Sequence, residues 1–213
     1  MSERDNPEAE TPAKSVLVLD AARALFIEHG FGATSMDAIA ARAGVSKATV
    51  YAHYASKQAL FAATTQRECR RVHERMALPQ DVTGLPLAQA LSTIGHAFLQ
   101  AILSAQNLTL LRMVAAELPR FPELGTIFYD SAPGRTLASV RAYLEQARAH
   151  GLIGDCDCAL VAAQFLGALR GDLQIRALLG ITPAVADMDA VVDEAVALFV
   201  TRYAVVTPAE GGR

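Results

Sequence analysis

The sequence contains few cysteines, few aromatic residues and few charges, and each shortage excludes a class of protein. Three cysteines in 213 residues are too few for a disulfide framework. A hydrophobic fraction of 52% against a charged fraction of 19% excludes intrinsic disorder for most of the chain. Tryptophan is absent and alanine is abundant, a composition that favours helices. The net charge of −3, taken as a total, does not suggest a general nucleic-acid binder.

The first thirteen residues are acidic and polar, and they lack the pattern of a signal peptide. They hold four acidic side chains, one arginine and two prolines. They show neither a basic start nor an apolar segment, both of which a secretory signal needs. We therefore expect a flexible acidic tail over residues 1–13 and a cytoplasmic location.

Residues 82–111 contain no Asp, Glu, Lys or Arg, and the stretch is long enough to span a bilayer. Amide, hydroxyl and imidazole side chains are nevertheless spread along it, among them Gln89, His96 and Asn107. A lipid-facing helix would leave most of these groups without hydrogen bonds, which is costly in hydrocarbon. We therefore expect a helix in the interior of a soluble domain and no membrane partner.

Apolar residues recur with a helical period along most of the chain. The first clear case is Val18, Ala21, Ala22, Leu25 and Phe26, which share one face of a helix that ends at Gly30. No segment shows the period-two alternation of strands, and no unit repeats at a fixed spacing. The sequence predicts an all-α protein of about nine to ten helices. Beyond residue 86 the predicted helices span about 87–105, 107–118, 122–130, 135–150, 157–179 and 187–206.

Two short helices joined through Ala43-Gly44-Val45 predict a helix-turn-helix. The first begins near Thr34, where a hydroxyl precedes Asp37 by three residues, as in a capping box. Gly44 suits the tight turn because glycine adopts a positive φ without steric cost. Ser46 is a good N-cap for the next short helix, whose Val50 is expected to point inward. A fourth helix begins at Ser56.

Polar side chains on and around the second of these helices form the candidate nucleic-acid interface. A recognition helix places its N-terminal residues at base edges in the major groove. Lys47 suits a guanine edge or a phosphate, Thr49 suits a base edge, and small Ala48 permits close approach. Phosphate contacts are expected for Ser35, Tyr51, His53 and Lys57. Lys47 also fits a solvated lysine, and His53 also fits packing against Tyr54. The predicted DNA-binding residues are Ser35, Ser46, Lys47, Ala48, Thr49, Tyr51, His53 and Lys57.

Other polar groups give no sign of catalysis or of a metal. The Cys156-Asp157-Cys158 triplet lacks the spacing of a zinc ligand pair and a second pair elsewhere, so a capped helix start is the favoured interpretation. No glycine-rich phosphate loop, nucleophile elbow or His-Glu metal helix is present in the sequence. We expect no enzyme activity, no cofactor and no metal site.

The helix-turn-helix residues also carry a family resemblance. The matching positions run Leu19-Asp20-Ala21-Ala22, Leu25-Phe26, Gly30-Phe31, Thr34 to Ala40, Ala43 to Tyr51, His53-Tyr54, Ser56-Lys57 and Leu60-Phe61. This run resembles the N-terminal domain of TetR-family transcriptional repressors. Ala52 and Tyr54 are mild departures from the family pattern. The segment from Leu111 to Tyr129 is similar to the C-terminal domain of the AefR-like group.

The resemblance implies a ligand-responsive repressor. Such a protein binds a palindromic DNA operator as a homodimer and is released by a small-molecule effector, which we expect to be largely apolar. The implied domains are a helix-turn-helix domain at 14–60 and an effector-binding and dimerisation domain at 61–213. The apolar helix 157–179, paired with 135–150, is the expected dimer interface. The alternative is a constitutive DNA-binding regulator without an effector.

The candidate effector residues come from the C-terminal part, where packing of an ordinary core explains the same pattern. Glu117 fits surface pairing with Arg112 or Arg120 equally well. The predicted effector-binding residues are His96, Phe98, Ile102, Met113, Glu117, Phe128 and Phe165.

The distribution of charge agrees with a DNA-binding N-terminal part. Residues 14–78 hold nine Lys or Arg against five acids, a net charge of +4. Residues 79–213 hold nine Arg against thirteen acids, a net charge of −4. The acidic total therefore hides a basic region, which is the part expected to face DNA.

Overall fold

The computed structural model describes residues 13–76 and 84–205, and within these ranges the chain is helical. All but the last residue of the predicted tail lies outside them. The described ranges contain no strand, only an isolated bridge between Ile153 and Ala204. The helices are α1 Lys14–Ala33, α2 Met36–Ala43, α3 Lys47–His53, α4 Lys57–Met76, α5 Leu87–Ile102, α6 Ala105–Glu117, α7 Glu123–Ser131, α8 Pro133–Ala149, α9 Cys158–Leu178 and α10 Val185–Tyr203. The all-α prediction is confirmed.

The contacts divide the chain into two compact units, one up to Thr64 and one from Thr65 onward. The core of the first unit is a cluster of three phenylalanines. Helix α1 is broken at Gly30, whose φ of 80° lies in the left-handed region. The break turns Phe31 back onto Phe26, with 5.6 Å between ring centroids, and Phe61 meets both rings edge-on at 5.5 Å. This packing fixes the first helix against the segment that follows it.

The second unit is built around helices α5, α8, α9 and α10, which share one apolar core. Ile94, Leu99 and Phe165 are completely buried in it. Helices α5 and α10 approach closely at Gly95, where an added Cβ would lie 3.1 Å from Val192. A Cβ at Gly95 would therefore require the Val192 side chain to shift within a closely packed core. Among the described helices, none is long and apolar enough to cross a membrane.

Several predicted helix boundaries move, and two of the shifts have a clear local reason. Helix α5 ends at Ile102 because Ser104 caps α6, its Oγ accepting from the Asn107 N–H at 3.2 Å. Pro133 begins α8 instead of separating two helices, since proline fits the first helical position. Helix α9 was predicted as uninterrupted, but Gly171 (φ 26°, ψ −132°) breaks it.

Candidate nucleic-acid interface

Helices α2 and α3 form the predicted helix-turn-helix, and each helix start is capped by a serine. Ser35 Oγ accepts from the Ala38 N–H at 3.1 Å, and Ser46 Oγ accepts from the Thr49 N–H at 3.1 Å. Between the helices Gly44 is left-handed, with φ 66°. Val50 is completely buried. Because α3 is only seven residues long, this one inward anchor fixes which of its faces points outward.

The predicted capping role of Thr34 is wrong. Its hydroxyl is buried and donates to backbone carbonyls of α1, 2.8 Å from Gly30 O and 3.1 Å from Leu25 O. The Thr34 hydroxyl is thus engaged at the break in α1 and is not available to cap α2. Ser35 therefore becomes the cap of α2.

The outward face of α3 carries most of the predicted DNA-binding residues. Lys47, Ala48, Tyr51 and His53 are exposed, and Thr49 is half-buried. Tyr51 is 46% exposed. The predicted contacts of these residues with DNA stay predictions. Their placement on one exposed face is what such contacts require.

Lys47 forms an ion pair with Asp37, another residue of the helix-turn-helix. Asp37 was not among the predicted site residues. The Lys47 Nζ lies 2.8 Å from Asp37 Oδ1 and 3.0 Å from Oδ2, and 5.9 Å from the Tyr51 ring centroid. The hydrogen bond and the charge of Asp37 raise the pKa of Lys47. Both side chains are more than half exposed, so water screens the pair and it stabilises the fold little. Asp37 therefore keeps Lys47 at the surface in a pair weak enough to be exchanged for another partner.

The sequence suggested Asp37 only as a capping acid. Since it is ten residues from Lys47, no local spacing rule connects the two.

Lys57 has a different environment from the phosphate contact predicted for it. Its ammonium donates to three backbone carbonyls, Phe31 O at 2.7 Å, Thr34 O at 2.8 Å and Gly32 O at 3.2 Å. It also lies 4.4 Å from the Phe31 ring centroid. An ammonium has three N–H donors, and all three are used within the protein. A phosphate contact would require one of these bonds to be given up, so Lys57 is better described as closing the end of α1.

A second ion pair lies on the same unit. Arg42 on α2 makes a two-pronged contact with Glu28 on α1, at 2.5 and 2.7 Å. The hydrogen bond to Arg42 lowers the pKa of the Glu28 carboxyl, and Glu28 raises the pKa of Arg42. This pair joins α1 to α2 at the surface, where water screens it. Its partners are fourteen residues apart, so no local spacing rule predicts the pair.

The predicted effector residues do not all lie together. Phe98 and Phe165 are buried in the common core of the second unit, with Ile102 packed against it. Phe128 is buried outside that cluster, and Met113 is half-buried.

His96, a predicted effector residue, and Arg112, an expected partner of Glu117, each make polar contacts within the second unit. The His96 Nδ1 lies 2.9 Å from Ser92 O, and its Nε2 lies 3.1 Å from Asp189 Oδ1. Glu117 is half-buried, while Arg112, one of its two expected partners, donates to carbonyls at the end of α9 instead, including Ala177 O at 2.6 Å.

Tyr143 on α8 was missed as a candidate effector residue. Its side chain is 4% exposed and belongs to the same core as Phe98 and Phe165. Its hydroxyl is buried and has no hydrogen-bond partner among the described residues. Burial raises the pKa of the Tyr143 phenol, so the group stays protonated and able to donate. The sequence analysis did not single out Tyr143, because nothing in the local pattern indicates an unpaired hydroxyl.

Comparison with known families agrees with both units. Residues 18–64 match the bacterial regulatory proteins of the tetR family, and residues 89–205 match the C-terminal domain of AefR-like transcriptional repressors. The chain belongs to the TetR family. It is therefore a transcriptional regulator with a DNA-binding helix-turn-helix, and TetR-family regulators are not enzymes.

Individual TetR-family proteins are similar over nearly the whole chain. The solved structure of the flavonoid-responsive regulator FrrA is 36% identical and covers 91% of this chain and 98% of its own, with a TM-score of 0.79. A TetR-family regulator from Mesorhizobium loti is 26% identical, covers 94% of this chain and 100% of its own, and also has a TM-score of 0.79. An HTH-type transcriptional regulator from Mycobacterium tuberculosis is 28% identical over 92% of both chains.

Proposed function

We propose that the protein is a cytoplasmic repressor that binds a palindromic operator as a homodimer and is released by a small-molecule effector. In this proposal residues 14–60 bind DNA, and residues 61–213 bind the effector and dimerise. The observation that carries it is the polar, exposed face of α3, capped by Ser46 and held in place by buried Val50. The DNA contacts are proposed for Ser35, Ser46, Lys47, Ala48, Thr49, Tyr51 and His53.

The proposed dimer interface uses α9 and α10. The exposed side of α9 carries small and apolar residues, including Leu160, which is 55% exposed, and Ile175, which is 58% exposed. The exposed side of α10 also carries Ala190, Ala197 and Leu198, with the acidic Asp193 and Glu194 exposed between them. Exposed apolar side chains on two neighbouring helices are a mark of a protein interface. 

Helix α8 had been expected in the interface in place of α10. Its exposed residues include Arg135, Arg141 and Arg148, and Arg141 is bonded to Glu145 at 2.8 Å. Such a charged face is better suited to water than to a dimer core.

Replacing Gly167 by arginine is expected to produce monomers. Gly167 lies in the middle of the exposed face of α9, and nothing lies within 4 Å of the position of an added Cβ. The larger side chain therefore fits the monomer but places an unpaired charge in the proposed interface, which costs several kcal/mol or about a hundredfold in dimer affinity. Analytical ultracentrifugation measures the change. Ala142→Arg on the exposed side of α8 is the matched control. Loss of the dimer in this control alone would show that the interface lies on α8.

The proposed effector site lies in the core of the second unit. An unpaired buried hydroxyl costs about 1–3 kcal/mol, so such groups are uncommon in a core unless they have a partner in some functional state. Tyr143 supplies one such donor among the aromatic rings of Phe98 and Phe165. A largely apolar molecule with a hydrogen-bond acceptor fits this chemistry. The similarity to FrrA, a flavonoid-responsive regulator, supports planar polyphenols as the first class to test.

Replacing Tyr143 by phenylalanine is expected to weaken effector binding while leaving the free protein at least as stable. The hydroxyl makes no hydrogen bond to a described residue, so its removal breaks no such bond in the free protein. The loss of one hydrogen bond to the effector is expected to lower affinity about fivefold to tenfold. Isothermal titration calorimetry measures the affinity and thermal unfolding measures the stability. Equal affinity for both proteins would remove Tyr143 from the site.

The whole proposal is tested by finding the operator first and the effector second. DNA selected from a random pool by the wild-type protein is expected to contain an inverted repeat. A gel-shift assay on that DNA then compares flavonoids with aliphatic carboxylic acids of similar size. Release by flavonoids at a concentration that leaves the dimer intact supports an effector-released repressor. Tight binding that no ligand of either class changes would favour the constitutive regulator.

A further inference from the structure

Two cysteines lie side by side where α9 begins. Cys156 is in the preceding loop and is half-buried, whereas Cys158 is the first residue of the helix and is 4% exposed. Their Sγ atoms are 3.9 Å apart, and both are free thiols. The side chain of the third cysteine, Cys69, lies outside the described part of the structure. A pair of adjacent thiols is a different chemical group from a single cysteine, because both sulfurs can bind the same atom.

The backbone around the pair is fixed on both sides. Asp157, between the cysteines, caps α9 by accepting from the N–H groups of Ala159 at 3.0 Å and Leu160 at 3.1 Å. Arg148 donates to the Cys156 carbonyl at 2.8 Å. Hydrogen bonds of Cys156 and of the intervening Asp157 therefore hold the backbone at both cysteines. A ligand would meet two thiols that already lie side by side.

The separation of the two sulfurs suits one bridging ion better than a disulfide. A disulfide needs its sulfurs about 2.05 Å apart, so both would have to move within a fixed backbone. Two thiolates about 2.3 Å from one tetrahedral ion are separated by about 3.8 Å. The observed 3.9 Å lies close to this value. A soft ion could therefore bind both sulfurs with little rearrangement.

The side chains around the two cysteines restrict further which class of ligand they can bind. In residues 13–76 and 84–205, no group of three or more His, Cys, Asp or Glu side chains is placed to hold a metal ion. The ligand must therefore accept two sulfurs and obtain its remaining bonds from water or from its own substituents. Thiolate ligands select soft ions over magnesium, calcium or manganese.

We propose that Cys156 and Cys158 form a dithiol site that binds one soft, thiophilic metal or metalloid ion. A divalent cation would replace the two thiol protons, which are released to water. An aryl arsenoxide would form two As–S bonds, and its oxygen would leave with the two protons as water. Neither reaction needs an oxidant or a reductant. The site goes beyond the proposed effector response, because it involves neither Tyr143 nor the core around it.

Two probes, applied to the full-length, reduced protein, distinguish a metal cation from a metalloid. Titration with Cd²⁺, followed by the ultraviolet thiolate-to-cadmium absorption, tests the cation. Mass spectrometry after addition of phenylarsine oxide, with reversal by a small dithiol, tests the metalloid. For either probe the proposal expects saturation at one ion per chain. It also expects loss of binding in both Cys156→Ser and Cys158→Ser, and unchanged binding in Cys69→Ser.

The pH dependence of Cd²⁺ binding gives a separate readout. Burial, then the hydrogen bond to Cys158 and its charge, raise the pKa of Cys156, and Asp155 acts in the same direction while Arg148 opposes it. Since binding of Cd²⁺ releases two thiol protons, its affinity is expected to rise with pH, by up to about a hundredfold per pH unit. Failure of both probes to bind, or binding that survives in the two Cys→Ser variants, would overturn the proposal.

Discussion

Replacing Ala48 by glutamate is expected to abolish operator binding while leaving the fold intact. Ala48 is exposed on the first turn of α3, next to the cap at Ser46, so the longer side chain does not disturb the core. In the proposed complex this turn faces the major groove, where a carboxylate would meet the negative potential of the phosphates. Like charges brought together at an interface cost several kcal/mol, so we expect at least about a hundredfold loss of affinity. Fluorescence anisotropy with the selected operator measures it.

The matched control for Ala48→Glu places the same acid elsewhere. Ala149→Glu adds one negative charge to the exposed end of α8, and its total charge equals that of the test variant. Equal losses for the two variants would show that net charge, not the position on α3, is responsible. A smaller companion change, Lys47→Ala, is expected to reduce the slope of log affinity against log salt by about one unit if Lys47 contacts phosphate. An unchanged slope would place Lys47 at a base edge or away from DNA.

Replacing Lys57 by methionine is expected to destabilise the N-terminal unit more than any surface substitution. The change keeps most of the apolar stem and removes the ammonium that serves three carbonyls after the break in α1. Hydrogen bonds from a charged group contribute about 1.5–3 kcal/mol, and the three carbonyls are left in a partly buried place. We expect a loss of about 2–4 kcal/mol in the free energy of unfolding. Chemical denaturation followed by circular dichroism measures it.

The control for Lys57→Met is Lys14→Met, at the exposed start of α1. It removes the same charge without removing a described backbone contact, and its stability is expected to stay within about 0.5 kcal/mol of wild type. Comparison with DNA binding then separates the two interpretations of Lys57. A stable Lys57→Met protein with weakened operator binding would restore the original prediction of a phosphate contact.

Most of the fold could be predicted from the sequence because local rules decide where most of the helices begin and end. Periodicity predicted the helix from about 87, and serine capping predicted the start of α3 at Ser46. Gly30 and Gly44 were correctly predicted as the ends of helical segments, since both positions need a positive φ. The exception is Gly171, which the pattern placed inside a continuous helix. Glycine permits a break without requiring one, so the sequence alone does not reveal it.

The side-chain pairs of the candidate site were much less predictable. Asp37 with Lys47, Glu28 with Arg42, and Lys57 with the end of α1 each join residues at least ten positions apart. Their geometry depends on how helices cross, which no spacing rule along the chain contains. The same limit applies to Tyr143, because the absence of a described partner for its hydroxyl depends on neighbours contributed by other helices.

The pair between Asp37 and Lys47 also affects how such a regulator moves among the many sites of a chromosome. If Lys47 contacts phosphate as proposed, each encounter with an arbitrary stretch of DNA requires it to leave the Asp37 carboxylate first. The exchange lowers the affinity for every sequence by a similar amount, and a full set of base contacts at the correct site offsets it. Residence on unrelated DNA is shortened, so the search proceeds faster. Asp37→Asn would lengthen those non-productive stops.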